Sequence, residues 1–149
     1  MEQVVYEERQ SFPAWISTTT GVILGLGLAL SPRSGLGDFW ALVLIVAVVC
    51  VALWLFSRFH INITHSELRF GFRIFKRNLP LSQIEVGEIR DITFWQGVGI
   101  HYVRGTAIWN AKLGRGVLIH YGKRRYLVGS DQPERLQSVL REHKAALAR

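Results

Sequence analysis

Two long stretches of the chain carry no charged residue, and they predict two helices in a membrane. The first runs from Gln10 to Pro32 and the second from Phe39 to Ser57. Residues 39–56 would be about 27 Å long as an α-helix, close to the thickness of a bilayer's hydrocarbon core. Twelve of these 18 residues are Leu, Ile, Val or Phe. A core helix in so small a soluble protein would not be apolar on all sides.

The first stretch is the less apolar of the two. Residues 14–30 contain three consecutive threonines and three glycines. A signal peptide is the alternative, but the preceding segment has three glutamates and one arginine where a signal peptide has a basic region. Only residues 31–38 connect the stretches, so the sequence predicts antiparallel neighbours, a transmembrane helical hairpin of about 14–30 and 39–56.

Small and aromatic residues mark candidate contacts of this hairpin. Small residues recur at every fourth position of the first helix, which allows close packing within the hairpin or dimerisation. The helix-packing candidates are Gly21, Gly25 and Ala29. Tryptophans near helix ends are typical of the membrane interface. The interface candidates are Trp15, Trp40 and Trp54.

Lysine and arginine near the helix ends predict the orientation. The connector holds one such residue, Arg33, whereas residues 57–77 hold five. The positive-inside rule then puts the connector outside and both termini in the cytoplasm.

Beyond the second stretch the hydrophobic period shortens to two, which is typical of strands. Residues 60–72 predict a hairpin, in which Ile61 and Ile63 alternate with polar residues. Glycine-rich breaks separate further predicted strands at 73–79, 84–94, 98–104, 106–112, 116–121 and 124–129.

The chain ends in a predicted amphipathic helix. Asp131 precedes Glu134 by three residues, as in a capping box, and Leu136, Val139 and Leu140 follow at helical spacing. Roughly seven antiparallel strands followed by one helix predict a pleckstrin-homology-like (PH-like) barrel closed by that helix. The sequence therefore predicts an α+β membrane protein, with the hairpin in residues 1–57 and the barrel in residues 58–149.

Three segments carry a resemblance to a known group of proteins. They are FHINITHSELRFGF (59–72), RNLPLSQIEVGEI (77–89) and the stretch 95–136, in which the turn Gly-Ser-Asp-Gln-Pro-Glu (129–134) opens the final helix. The chain resembles small bacterial proteins with two transmembrane helices and a cytoplasmic PH-like domain. This resemblance implies a two-pass protein of the bacterial inner membrane. Such proteins mostly have no assigned activity, so it implies no catalytic or binding residues.

No pattern of residues predicts an enzyme, a metal site or a cofactor. The five histidines, at 60, 65, 101, 120 and 143, are scattered, and no cysteine pair accompanies them. The one cysteine, Cys50, lies in an apolar stretch. Gly97-Val98-Gly99 lacks the third glycine and the helix of a dinucleotide site, so it predicts a bend. The carboxylates at 85, 88 and 91 have no partnering base or nucleophile.

Positive charge is the most informative functional signal. Residues 57–149 hold 16 Lys or Arg against 7 Asp or Glu. Such a surface favours anionic lipid headgroups; the alternatives are a solvated face and an acidic protein partner. Nucleic acid is disfavoured, because the aromatic residues alternate as core residues do. The lipid-surface candidates are Arg73, Lys76, Arg77, Lys123, Arg124 and Arg125.

These observations predict a non-enzymatic, membrane-anchored interaction module that presents a basic domain at the cytoplasmic membrane face. The alternative is an accessory or assembly subunit of a larger membrane complex, whose helices pack against those of other subunits.

Overall fold

The computed structural model describes residues 4–12, 14–30 and 36–147. These ranges contain three α-helices and nine strands. In chain order they are β1 (Val4–Ser11), α1 (Ala14–Leu30), α2 (Leu36–Phe56), β2 (Arg58–Thr64), β3 (Glu67–Phe72), β4 (Lys76–Pro80), β5 (Ile84–Ile92), β6 (Gly99–Val103), β7 (Thr106–Asn110), β8 (Gly114–Tyr121), β9 (Arg124–Ser130) and α3 (Pro133–Leu147). Short 3-10 turns occupy Leu81–Gln83 and Phe94–Gln96.

The strands form two sheets that share the main hydrophobic core, and a smaller cluster lies on the second sheet alone. The first sheet has the order β1-β2-β3-β4, and the second has the order β5-β8-β9-β7-β6. Alternate residues of each strand point inward. In β2 these are Phe59, Ile61 and Ile63, which are fully buried. Helix α3 packs against β5, β8 and β9 of the second sheet, where it buries Leu136 and Leu140 completely.

Strand β1 precedes both long helices in the chain but belongs to the β domain. It pairs with β2 so that Ser11 lies opposite Arg58, and the Phe12 N–H donates to the Ser57 carbonyl at 3.0 Å. The helical segment therefore leaves and re-enters the domain at neighbouring residues. The sequence analysis had assigned residues 1–57 to an N-terminal segment and hairpin, and it did not predict this strand.

A buried carboxylate ties β1 to the end of β9. Glu8 is only 9% exposed. Its two oxygens accept hydrogen bonds from the Tyr6 hydroxyl (2.6 Å), the Gln10 amide (2.6 Å), the Ser130 hydroxyl (2.6 Å) and the Asp131 N–H (2.7 Å). Burial alone raises the pKa of Glu8, but these four hydrogen bonds outweigh it and hold the pKa below its ordinary value. Burial and the Glu8 carboxylate raise the pKa of Tyr6.

The predicted transmembrane hairpin is not supported. Among the described helices only α2 is long and apolar enough to cross a membrane, over Phe39–Phe56, and none of that span is buried within the chain. Helix α1 has 17 residues, about 25 Å, diluted by threonine and glycine. Its glycine face does not pack against α2, because a Cβ atom at Gly21 or Gly25 would meet nothing within 4 Å.

The predicted all-antiparallel barrel of about seven strands is also wrong. The strands beyond residue 57 lie close to the predicted positions and α3 is present, but the nine strands form two sheets and β7 runs parallel to β9. Alternation of apolar residues reports which face of a strand is buried. It does not report which strand lies beside it.

Candidate functional site: a cleft lined by arginine and aromatic side chains

A cleft of about 430 Å³ opens between the two sheets. Strand β4, at one edge of the first sheet, and strand β6, at one edge of the second, both contribute to its lining. Strands β7 and β9 line the rest. We call it the arginine cleft. Its lining residues are Arg77, Ile100, His101, Tyr102, Ala107, Trp109, Arg124, Arg125 and Tyr126. No acidic side chain is among them.

Three guanidinium groups give the cleft its charge. Arg77 comes from β4 in the first sheet, and Arg124 and Arg125 come from the start of β9 in the second. Arg125 donates to the Arg104 carbonyl at 2.9 Å, which fixes its position. In the described part of the chain, neither Arg77 nor Arg124 forms an ion pair. An anion entering the cleft would meet uncompensated positive charge.

Aromatic rings line the cleft beside the arginines. The Phe70 ring meets the Trp109 ring edge-on at 5.4 Å and the Tyr126 ring at 5.9 Å, and these contacts anchor both rings in the core. Tyr102, in contrast, is 74% exposed. The Trp109 Nε1–H is buried and has no hydrogen-bond partner within the described residues. An unpaired buried donor is costly, so an acceptor oxygen on a ligand would relieve it.

His101 lines the cleft and packs on the preceding glycine bend. A Cβ atom at Gly97 would lie 3.3 Å from its Nε2, and Gly97 and Gly99 have positive φ angles of 71° and 118°. The positive φ angles favour glycine at both positions, and the His101 ring leaves a Cβ atom little room at Gly97. The bend predicted at Gly97-Val98-Gly99 therefore exists, and it fixes the entry to β6 beside the cleft.

The structure brings only half of the lipid-surface candidates together. Arg77, Arg124 and Arg125 line the arginine cleft. Lys76 lines a separate pocket on the first sheet, next to Arg9 and Arg69. Lys123 is exposed in the β8–β9 turn and lines none of the described pockets.

Arg73, the remaining candidate, joins the domain to α2. Its guanidinium carbon lies 4.4 Å from the centre of the Trp54 ring, a cation–π contact. Phe56, the last residue of α2, meets the Phe72 ring at 5.0 Å and stacks on Phe75 at 5.7 Å. The end of α2 is therefore packed onto the domain instead of being linked to it by a flexible segment.

The helix candidates lie in open positions. The faces of Gly21 and Gly25 are empty, and Ala29 is exposed. Trp40 is 65% exposed and Trp54 56% exposed, one near each end of the apolar span of α2. Trp15 opens α1, but its side chain lies outside the described part of the structure.

The described residues contain no group of three His, Cys, Asp or Glu side chains that could hold a metal ion. No protein-family model, curated protein or solved structure matches the chain. The resemblance to bacterial PH-like membrane proteins therefore stays a prediction.

The sequence analysis missed the apolar wall of the cleft, above all Trp109, Tyr126 and Tyr102. The available signal was the alternation in β6 and β7, which puts Ile100 and Tyr102 on one face. That signal could not show that β4 lies opposite β6. The two strands belong to different sheets, and their proximity depends on the strand order in both sheets.

Proposed function

We propose that the protein is a non-enzymatic, membrane-anchored binding module. Helix α2 is the anchor, and the arginine cleft binds an anionic group attached to an apolar or aromatic moiety. One observation carries the proposal: Arg77 and Arg124, from different sheets, line one cleft that has no acidic residue and an aromatic wall. Guanidinium groups suit phosphate and carboxylate oxygens, and the rings suit the apolar part.

The orientation of the domain is part of this proposal. Residues 57–77, which follow α2, hold five Lys or Arg against the single Arg33 in the connector before it. This asymmetry supports a cytoplasmic position for the β domain, at the inner membrane of a bacterium. A reporter fused after Arg149 tests it, and an external reporter would contradict it.

The binding test uses the full-length protein in detergent micelles and isothermal titration. The probes are inorganic phosphate and phenyl phosphate, whose ring can contact the aromatic wall. We expect saturable binding of phenyl phosphate that is several-fold tighter than binding of phosphate. Arg77→Gln or Arg124→Gln should each weaken it about tenfold or more, as for the loss of a charge-assisted hydrogen bond.

Lys123→Gln is the matched control. It removes the same charge one residue before Arg124, but Lys123 does not line the cleft. Binding should be unchanged in this variant. Equal weakening by Lys123→Gln, or unsaturable binding, would show that phenyl phosphate responds to general positive charge and not to the arginine cleft.

A second function, an accessory subunit of a larger complex, has one supporting observation. The face of α1 with Gly21 and Gly25 has no neighbour in the described chain, so another protein's helix could approach it closely. Crosslinking in mild detergent should then recover a stoichiometric partner. That crosslink should be lost in Gly25→Leu.

A further inference from the structure

Three loops of the β domain gather around the end of α2. The turn 73–75 lies there because Phe75 stacks on Phe56. The loop before β6 lies there because a Cβ atom at Gly99 would be 4.0 Å from the Phe56 ring. The turn 111–113 joins them through Asn110, whose amide donates to the Gly97 and Lys112 carbonyls at 3.0 and 3.1 Å. We call these the helix-proximal loops.

The helix-proximal loops expose large apolar side chains. Ile74 is 63% exposed, Phe75 41%, Trp95 93% and Leu113 41%. Isolated exposed apolar residues are ordinary on protein surfaces. Four of them at one end of a domain, beside an apolar helix that the domain contacts only at its last residues, indicate a surface with a partner.

The opposite end of the strands has a different composition. The turns at 65–66, 104–105 and 122–123 contain His, Ser, Arg, Gly and Lys and no large apolar residue. In the described loops, exposed large apolar side chains are thus confined to the end at which α2 leaves the domain; Val4, Val5 and Tyr102, exposed nearer the other end, lie in strands. That position decides the partner: a membrane that α2 enters must reach the domain at this end.

We infer that the helix-proximal loops are inserted into the headgroup layer of the bilayer around the end of α2. Tryptophan and basic residues are favoured at this depth. Trp95 and Trp54 supply the first, and Arg73 and Lys76 flank the apolar pair Ile74-Phe75. The domain then rests on the bilayer through apolar contacts, with the turn at 122–123 directed away from it. This inference rests on the proposed anchoring by α2.

Site-directed spin labels in the full-length protein, reconstituted into phosphatidylcholine liposomes, test the inference. In a Cys50→Ser background, Ile74→Cys, Trp95→Cys and Leu113→Cys each carry one nitroxide, and Lys123→Cys is the exposed control. The measurement compares collisions with oxygen, which enters lipid, and with a water-soluble nickel chelate. We expect an oxygen-to-nickel ratio several-fold higher at 74, 95 and 113 than at 123.

A label at the native Cys50 separates the two hypotheses. One outcome would overturn the inference and leave the anchor intact. In it, the label at 50 is buried in lipid, but the labels at 74, 95 and 113 are as accessible to nickel as the label at 123. A wet label at 50 would overturn the anchor and, with it, the inference. A second variant, Ile74→Asp with Trp95→Asp, should make the label at 113 as accessible to nickel as that at 123, because charged side chains are expelled from the layer. An unchanged ratio at 113 would also count against insertion.

Discussion

The helix-proximal end of the β domain and the distal end, formed by the turns at 65–66, 104–105 and 122–123, are built from the same strands but differ in how they are held. At the helix-proximal end, Glu8 connects β1 to β9, and Phe56 packs α2 onto the core. At the distal end tight turns join the strands, with Arg104 at a φ of 47° and Gly122 at 56°, and the Arg104 and Ser66 carbonyls each accept one further hydrogen bond. The first end is cross-linked and exposes apolar side chains, and the second is open and basic.

The two ends of the domain hold different parts of the chain. Two helices enter the domain next to one another, and hydrogen bonds between distant parts of the chain keep β1 in place there. At the distal end the start of β9 supplies Arg124 and Arg125 to the arginine cleft, and charge is best kept in contact with water. The contacts with α2 and the two arginines of β9 are thus separated along the length of the strands.

Removing the helices should have the largest effect on the difference between the two ends. Because Phe12 and Ser57 are joined by a backbone hydrogen bond, an Asn-Gly turn can replace residues 13–56 and close a β1–β2 hairpin. We expect this chain to move from the membrane pellet to the supernatant and keep its β-sheet signal in circular dichroism. A chain that begins at Arg58 lacks β1 and is the comparison; it should be clearly less stable. Equal stability of the two would show that β1 is dispensable.

Glu8→Ala should weaken the cross-linked end strongly. It leaves the buried groups of Tyr6, Gln10 and Ser130 without their acceptor, and we expect a loss of about 3 kcal/mol in the free energy of unfolding. Urea titration in detergent, followed by circular dichroism, measures it. Glu7→Ala is the control, because Glu7 is exposed and pairs only with Arg9; its cost should stay below about 0.5 kcal/mol.

Acid should act on the same carboxylate. Its pKa is lower in the folded protein than its ordinary value of 4.5. The stability that Glu8 contributes is therefore fully present above that value, and it is lost as the pH falls below 4.5 through the folded pKa. Urea midpoints measured from pH 7 to pH 3 should fall less steeply in Glu8→Gln than in the natural sequence. Parallel curves would assign the acid sensitivity to other groups.

The smallest expected effect lies at the distal end. Arg104 adopts a left-handed conformation that disfavours side chains with a Cβ atom, and glycine would remove this strain at some entropic cost in the unfolded chain. We expect Arg104→Gly to raise the free energy of unfolding by about 0.5 kcal/mol. The carbonyl that accepts from Arg125 is retained, so binding of phenyl phosphate should not change. A destabilised variant would indicate that the Arg104 side chain itself holds the turn.

The sequence predicted the strands beyond residue 57 and the final helix well, because apolar alternation and glycine turns report local structure directly. The sequence did not predict strand β1, because inward positions of that strand are polar. The inward residues of β1 are Tyr6, Glu8 and Gln10, so no apolar alternation marked the strand. It also overrated α1, whose lack of charge outweighed its threonines and glycines in the prediction.

The candidate site was predicted only in part, for a similar reason. Arg77 and the pair Arg124-Arg125 were chosen for their charge, and the structure unites them in the cleft. Lys76 and Lys123, chosen on the same ground, lie elsewhere. Charge can be read from a sequence, but the strand order that brings residues 77 and 124 together depends on contacts across the whole domain.

The pairing of β1 with β2 also dictates an order of events during biosynthesis. At translation rates of about 5–20 residues per second, Arg58 is made roughly 2–10 s after Ser11. The Ser130 partner of Glu8 follows later still. Throughout this interval the first strand has neither its neighbour nor its buried contacts, and both helices are synthesised before β2. Closure of the first sheet is thus a late step, and a nascent chain stalled before Arg58 would hold an unpaired strand that chaperones or other strands could capture.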